Sequence, residues 1–150
     1  MDMEKESTEK MLILHQNIVN LVNQLKIPLI EVSLVIAKFT KTLSEKLIQV
    51  AINNNEELPK KYTEKWDLDF ENTEQEINAS IKLEKVIDIL DTDRIDILDT
   101  LIRTSINLEE ISLADSLLVL RSWEKLVRTQ LSKSTTPGEL FSIVAIPEDF

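Results

Sequence analysis

The sequence predicts an all-α protein: a bundle of about four to five helices with an extended apolar C-terminal tail. Three observations lead there. Only Gly138 among the 150 residues is glycine, whereas the tight turns of hairpins and sheets lean on Gly. Leu, Ile, Glu and Lys, which sit comfortably in helices, are abundant. Apolar residues also recur every three or four positions along most of the chain, the period of a helix with one buried face.

The first helix is expected from about Ser7 to Lys26. Met11, Leu14, Ile18, Leu21 and Leu25 form a seam with alternating spacings of three and four, the coiled-coil pattern. Val19 and Val22 widen it, so the helix should pack into a bundle. Ser7 with Lys10 makes no capping box and leaves the start unmarked. Pro28 interrupts the register, because proline has no N–H and disfavours helix at the residue before it. It also suits the first turn of a new helix, expected over Pro28–Asn53. The stripe there is Val32, Val35, Ile36, Phe39, Leu43, Leu47 and Val50. So short a link favours an antiparallel hairpin over about 7–53, with a kinked pair as the alternative.

Residues 53–61, rich in Asn with Pro59 near the end, read as a loop. Trp66, Leu68 and Phe70 alternate with acids, which suggests an extended segment docking its aromatic rings or, less naturally, a short strand. Thr73 with Glu76 reads as a capping box, opening a helix that carries Ile77, Ile81, Val86, Ile87 and Leu90. A near repeat follows, Ile87 to Thr92 and then Ile95 to Thr100. It implies one long helix or two broken near Asp91–Asp93. Asn107 with Glu110, or Ser112 with Asp115, can cap the last helix. Its face is Leu113, Leu117, Leu120, Trp123, Val127 and Leu131. We read the chain as one helical domain over 1–150: the hairpin, an acidic loop and helices over about 54–131, and a docking tail over 132–150.

Charge is uneven within the formal total of −10. Residues 1–63 are balanced, with eight acids and eight bases. Residues 64–110 hold fourteen acids and five bases. Residues 111–150 hold five acids and four bases. A field of this sign repels nucleic acid and acidic membranes in general. No apolar run approaches the ~20 residues needed to span a bilayer, and the acidic start lacks the pattern of a secretory signal. The expectation is a cytoplasmic chain without membrane contact. No cysteine is present, which excludes thiol catalysis, disulfides and Cys-based zinc sites.

The catalytic inventory is short, so no enzyme and no cofactor are expected. His15 is the only histidine, and neither a His-based metal cluster nor a Ser-His-Asp triad can be assembled within the chain. It is read as a helix-surface residue beside the seam. Asp91, Asp93, Asp96 and Asp99 invite a calcium loop, but the sixth position is Asp96 where the loop needs Gly, and the twelfth is Ile102 where it needs Glu. They read as a solvated acidic face. Phosphate-cradling Gly loops are absent, and Trp66, Phe70, Trp123 and Phe141 are better explained as packing than as base-stacking platforms.

Two surfaces suggest partners. The tail residues Leu140, Phe141, Ile143, Val144 and Ile146 are too apolar to stay in water and must dock on the bundle or on a partner protein. Arg121, Lys125 and Arg128 share one row on the last helix, with Lys133 beyond, and could touch phosphates. They could equally pair with the acidic helices. The leading reading is a non-catalytic helical-bundle interaction subunit of a larger assembly, with a protein partner or self-association. One alternative is a small helical subunit of a nucleoprotein complex, such as CRISPR effectors contain. Another is an acidic inhibitor or immunity protein steered to a basic partner.

Overall fold

The computed structural model describes residues 3–67, 88–148 and 150. The expected helix from Thr73, and Leu68 and Phe70 of the alternating stretch, lie outside those residues. Five α-helices are described: α1 (Met3–Leu25), α2 (Leu29–Asn53), α3 (Lys60–Thr63), α4 (Thr92–Leu108) and α5 (Leu113–Ser132). A 3-10 helix follows at Pro137–Phe141. No strand occurs among the described residues; a single antiparallel bridge joins Pro28 to Ile143. The fold is all-α, as the periodicity predicts.

The long helices α1, α2 and α5 bury most of the stripe that their spacing marks. From α1, Leu14, Ile18 and Val22 are fully buried, with Met11, Val19, Leu21 and Leu25 packed alongside. From α2, Val32, Val35, Ile36 and Leu43 are buried, while Val50 at the far end of the stripe is exposed. Leu117, Leu120, Trp123, Val127 and Leu131 of α5 complete the centre with Leu98 and Ile102 of α4. Burying a Leu or Ile side chain contributes roughly 1.5–3 kcal/mol, so this cluster supplies the main driving force.

The helix ends follow local chemistry. In α4, the carboxylate of Asp91 accepts from the N–H groups of Asp93 at 3.0 Å and Arg94 at 3.2 Å. The near repeat therefore breaks at Leu90–Asp91, and its second copy starts a new helix. For α5, Ser112 Oγ accepts from the N–H of Asp115 at 3.1 Å, which selects the Ser112 cap over the Asn107 one. Three helices end on a non-glycine residue in the left-handed region: Lys26 (φ 51°), Asn55 (φ 56°) and Glu110 (φ 51°). Each is followed by an N–H that reaches back five residues: Ile27 to Val22, Glu56 to Ala51, and Ile111 to Ile106. These are Schellman closures, which glycine usually makes.

The expected hairpin of α1 and α2 gives way to a different arrangement. α2 packs most extensively on α5, and α1 packs chiefly on α4 and on α5. The turn at Lys26 and the buried Pro28 send α2 towards α5 and leave the seam of α1 to α4. The stretch read as a loop ends in a short helix, because Pro59 at the N-cap position of α3 has an extended ψ of 143° and releases a helical turn after it.

The tail docks in cis. Leu140 and Val144 are buried in the core, and Phe141 and Ile146 pack against it. The N–H of Leu29 donates to the carbonyl of Ser142 at 2.8 Å, so the tail satisfies a free donor in the first turn of α2. Gln130 clamps Ala145 from both sides, donating to its carbonyl and accepting from its N–H at 3.0 Å.

Candidate functional site

Thr8, Met11, Leu12 and His15 recur at helical spacing and line one face of α1. Across from them α5 presents Leu118, Val119 and Ser122. Trp66 and Phe150 close the two remaining sides. Together they line an open cleft of about 480 Å³ whose lining includes no charged side chain. That volume lies within the range of small-ligand and peptide-anchor sites. Leu12 is 54% exposed on its rim, where it extends the apolar lining of the cleft outward.

His15 ties the floor of this cleft to the core. The indole Nε1–H of Trp123, which can only donate, points to His15 Nδ1 at 3.0 Å. Nδ1 is therefore the acceptor, and the imidazole carries its proton on Nε2. That proton faces the backbone oxygen of Phe150 at 3.1 Å. The three rings cluster: Phe150 meets Trp123 edge-on at 5.0 Å and His15 edge-on at 4.9 Å, while His15 and Trp123 are tilted at 5.6 Å. Burial pushes the imidazole below its ordinary value of 6.5, against a smaller upward pull from the Phe150 oxygen. Burial thus favours the neutral form of His15. The sequence places His15 beside the seam, but its partners lie 108 and 135 residues away, and no local signal announces them.

The basic row on α5 faces the chain's own α3–Trp66 segment at Arg121 and Arg128. Arg121 is 4% exposed and Glu124 is 5% exposed. Arg121 Nη1 donates to Glu124 Oε1 at 2.8 Å, and its Nε donates to the carbonyl of Tyr62 at 3.1 Å. The hydroxyl of Thr40 lies 3.3 Å from the other Glu124 oxygen. Arg121 is withdrawn from solvent because it stands next to Leu120 on the buried side of the helix. Arg128 donates to the carbonyl of Trp66 at 2.8 Å. Two of the four bases singled out in the sequence thus anchor the segment containing α3 and Trp66, and so help build a wall of the cleft. Lys125 is half-buried and Lys133 exposed.

The expected solvated acidic face holds for Asp93 and Asp96, which are exposed, but not for Asp91 and Asp99, which serve the fold. Asp91 caps α4. Asp99 is 9% exposed and accepts from Lys38 at 2.8 Å, with Arg103 at 3.4 Å. Glu31, fully buried, receives two hydrogen bonds from Arg94, at 3.0 Å and 2.8 Å, and lies 3.3 Å from the N–H of Asp91. These bonds hold the Arg94 guanidinium above its already high ordinary value. Among the described residues, no group of three or more His, Cys, Asp or Glu is placed to hold a metal ion. A second, smaller cleft of about 300 Å³ lies between α2 and α4, where Lys38, Asp99 and Arg103 satisfy one another.

Of the tail residues, four serve the chain's own core, and Ile143 alone stays 55% exposed. Phe150 instead reaches the cleft, a role that nothing in its local sequence marks. No helix among the described residues is long and apolar enough to cross a membrane. Comparison with known families, proteins and structures returns no match.

Proposed function

We propose that the chain is a non-catalytic interaction subunit that holds an apolar segment of a partner protein in the cleft beside His15. The observation that carries this reading is the cleft itself: a wall of Met11, Leu12, Trp66, Leu118, Val119 and Phe150 with no charged side chain. An amphipathic helix laid against it would bury its apolar face in the way helix-in-groove partners do. The excess of acid in the chain favours a segment with a basic outer face.

Substitution at the rim tests the reading. Tagged wild-type chain, Leu12→Asp and Leu108→Asp are purified in parallel from the source cell. Leu108 is 77% exposed on α4 and lies outside the cleft lining, so it controls for general loss of apolar surface. The expected result is a defined protein partner retained by wild type and Leu108→Asp and reduced at least tenfold with Leu12→Asp. Equal retention by all three removes the cleft from the account.

A further inference from the structure

The cleft between α2 and α4 differs in chemistry from the one beside His15. Lys38, Thr42 and Lys46 recur every four residues along α2, and Asp99, Arg103 and Asn107 do the same along α4, so each set forms one ridge. The two ridges flank a space of about 300 Å³. Its more buried lining is apolar: Phe39 and Leu43 from α2, Ile106 from α4 and Leu113 from the start of α5. The exposed lining is polar and mostly basic.

The charges of this lining do not balance. Lys38, Lys46 and Arg103 bring three cations to the rim, and Asp99 is the one carboxylate in the lining among the described residues. Asp99 gives one oxygen to Lys38 at 2.8 Å and the other to Arg103 at 3.4 Å, so two cations share a single negative charge. The side chains of Lys38 and Arg103 are still 64% and 58% exposed, and they keep donors free for a further acceptor. Lys46 is exposed and has no hydrogen bond or ion pair among the described residues. An excess of positive charge therefore rings an apolar floor, on a chain whose formal charge is −10. A cleft lined by one sign of charge concentrates small ions of the other sign.

We propose that this cleft binds a small amphipathic carboxylate, with the carboxylate held by Lys46 and Arg103 and a short acyl or aryl body laid on Phe39, Leu43, Ile106 and Leu113. The planar fork of Arg matches a carboxylate. The apolar floor calls for a hydrocarbon body, since a bare inorganic anion would leave that floor in water. A carboxylate also suits the wall better than a doubly charged phosphate, which Asp99 would repel about twice as strongly. The volume lies at the small end of ligand sites, which limits the body to a short chain or a single ring. No lining residue is shared with the cleft beside His15, so this site stands or falls apart from the docking reading.

Octanoate, titrated into the full-length chain and followed by backbone amide NMR, tests the proposal. Shifts are expected along residues 38–46 and 99–113, with Leu118 and Phe150 of the other cleft unmoved. Octylamine has the same chain length and the opposite charge, and should bind about tenfold more weakly or worse. Lys46→Glu should weaken octanoate about fivefold, and binding should fall as salt rises. Thr42→Phe fills the cleft without changing its charge and should abolish binding. Both substituted positions are exposed on α2, so neither change touches the core, and the wild-type comparison of octanoate with octylamine needs no variant. Octanoate shifts that are missing from α2 and α4 or centred on the other cleft, equal binding of octylamine, or full binding by Lys46→Glu would each overturn the site.

Discussion

At the scale of single residues, the buried ionic groups of this chain help to hold it together. Arg121 and Glu124 show the cost most clearly. Both are almost fully buried, and their pairing must offset the loss of two hydration shells, which it does only because Tyr62 and Thr40 supply further polar partners. Removing one member exposes that dependence. Arg121→Ala should destabilise the chain by roughly 3–5 kcal/mol, since Glu124 is left as a buried, unpaired carboxylate. The combined change of Arg121→Met with Glu124→Leu should recover most of the loss. Urea unfolding reads this as a lower midpoint at unchanged slope for the first variant and a near-normal midpoint for the second. Fluorescence of Trp66 would report in addition whether the α3 segment, which Arg121 and Arg128 tether, has come loose.

Elements are where the sequence speaks most plainly. The seams of α1, α2 and α5 are legible because burial of one helix face imposes a period that survives any arrangement of neighbours. The cap at Ser112 is legible because it depends on four consecutive residues, whereas Asp91 is legible only as part of a break in the repeat. Lys26 and Glu110 are harder, because the left-handed turns they make normally advertise themselves with glycine. Both adopt φ 51° at a cost of about 1 kcal/mol or more for a residue with a Cβ. The strain persists because the residue after each, Ile27 or Ile111, is drawn into the core. Glu110→Gly should therefore stabilise the chain by up to about 1 kcal/mol, after allowance for the freer unfolded state. Thermal unfolding would register a rise in Tm of about 2–4 °C. A fall in Tm would mean that the Glu110 side chain supports the turn in a way its backbone conformation does not reveal.

The whole molecule contains what no local pattern could encode. Which helices face each other depends on the turn at Lys26–Pro28 and on the tail crossing the start of α2, and the second is a contact between distant parts of the chain. The apolar tail is legible as a segment that must be covered by its own bundle or by a partner, but its pattern does not choose between the two. The basic row was legible as a helical pattern, yet the pattern alone does not say that Arg121 points inward. The cleft is the extreme case: it takes residues 8–15, 66, 118–122 and 150, four stretches with no shared motif. Its apolar lining also runs against the acidic character of the chain as a whole, whose formal charge is −10. An uncharged cleft on an acidic chain is the contrast on which the proposal of a partner there rests.

The most direct measurement is site-specific photo-crosslinking in the source cell, with the crosslinking residue placed at Leu12 in one variant and at Leu108 in another. The account predicts that position 12 traps a single protein through an apolar segment, identified by mass spectrometry of the crosslinked peptide, and that position 108 does not trap that segment. Crosslinks to the same segment from both positions, or from position 108 alone, would contradict the claim that the cleft beside His15 is where this chain does its work.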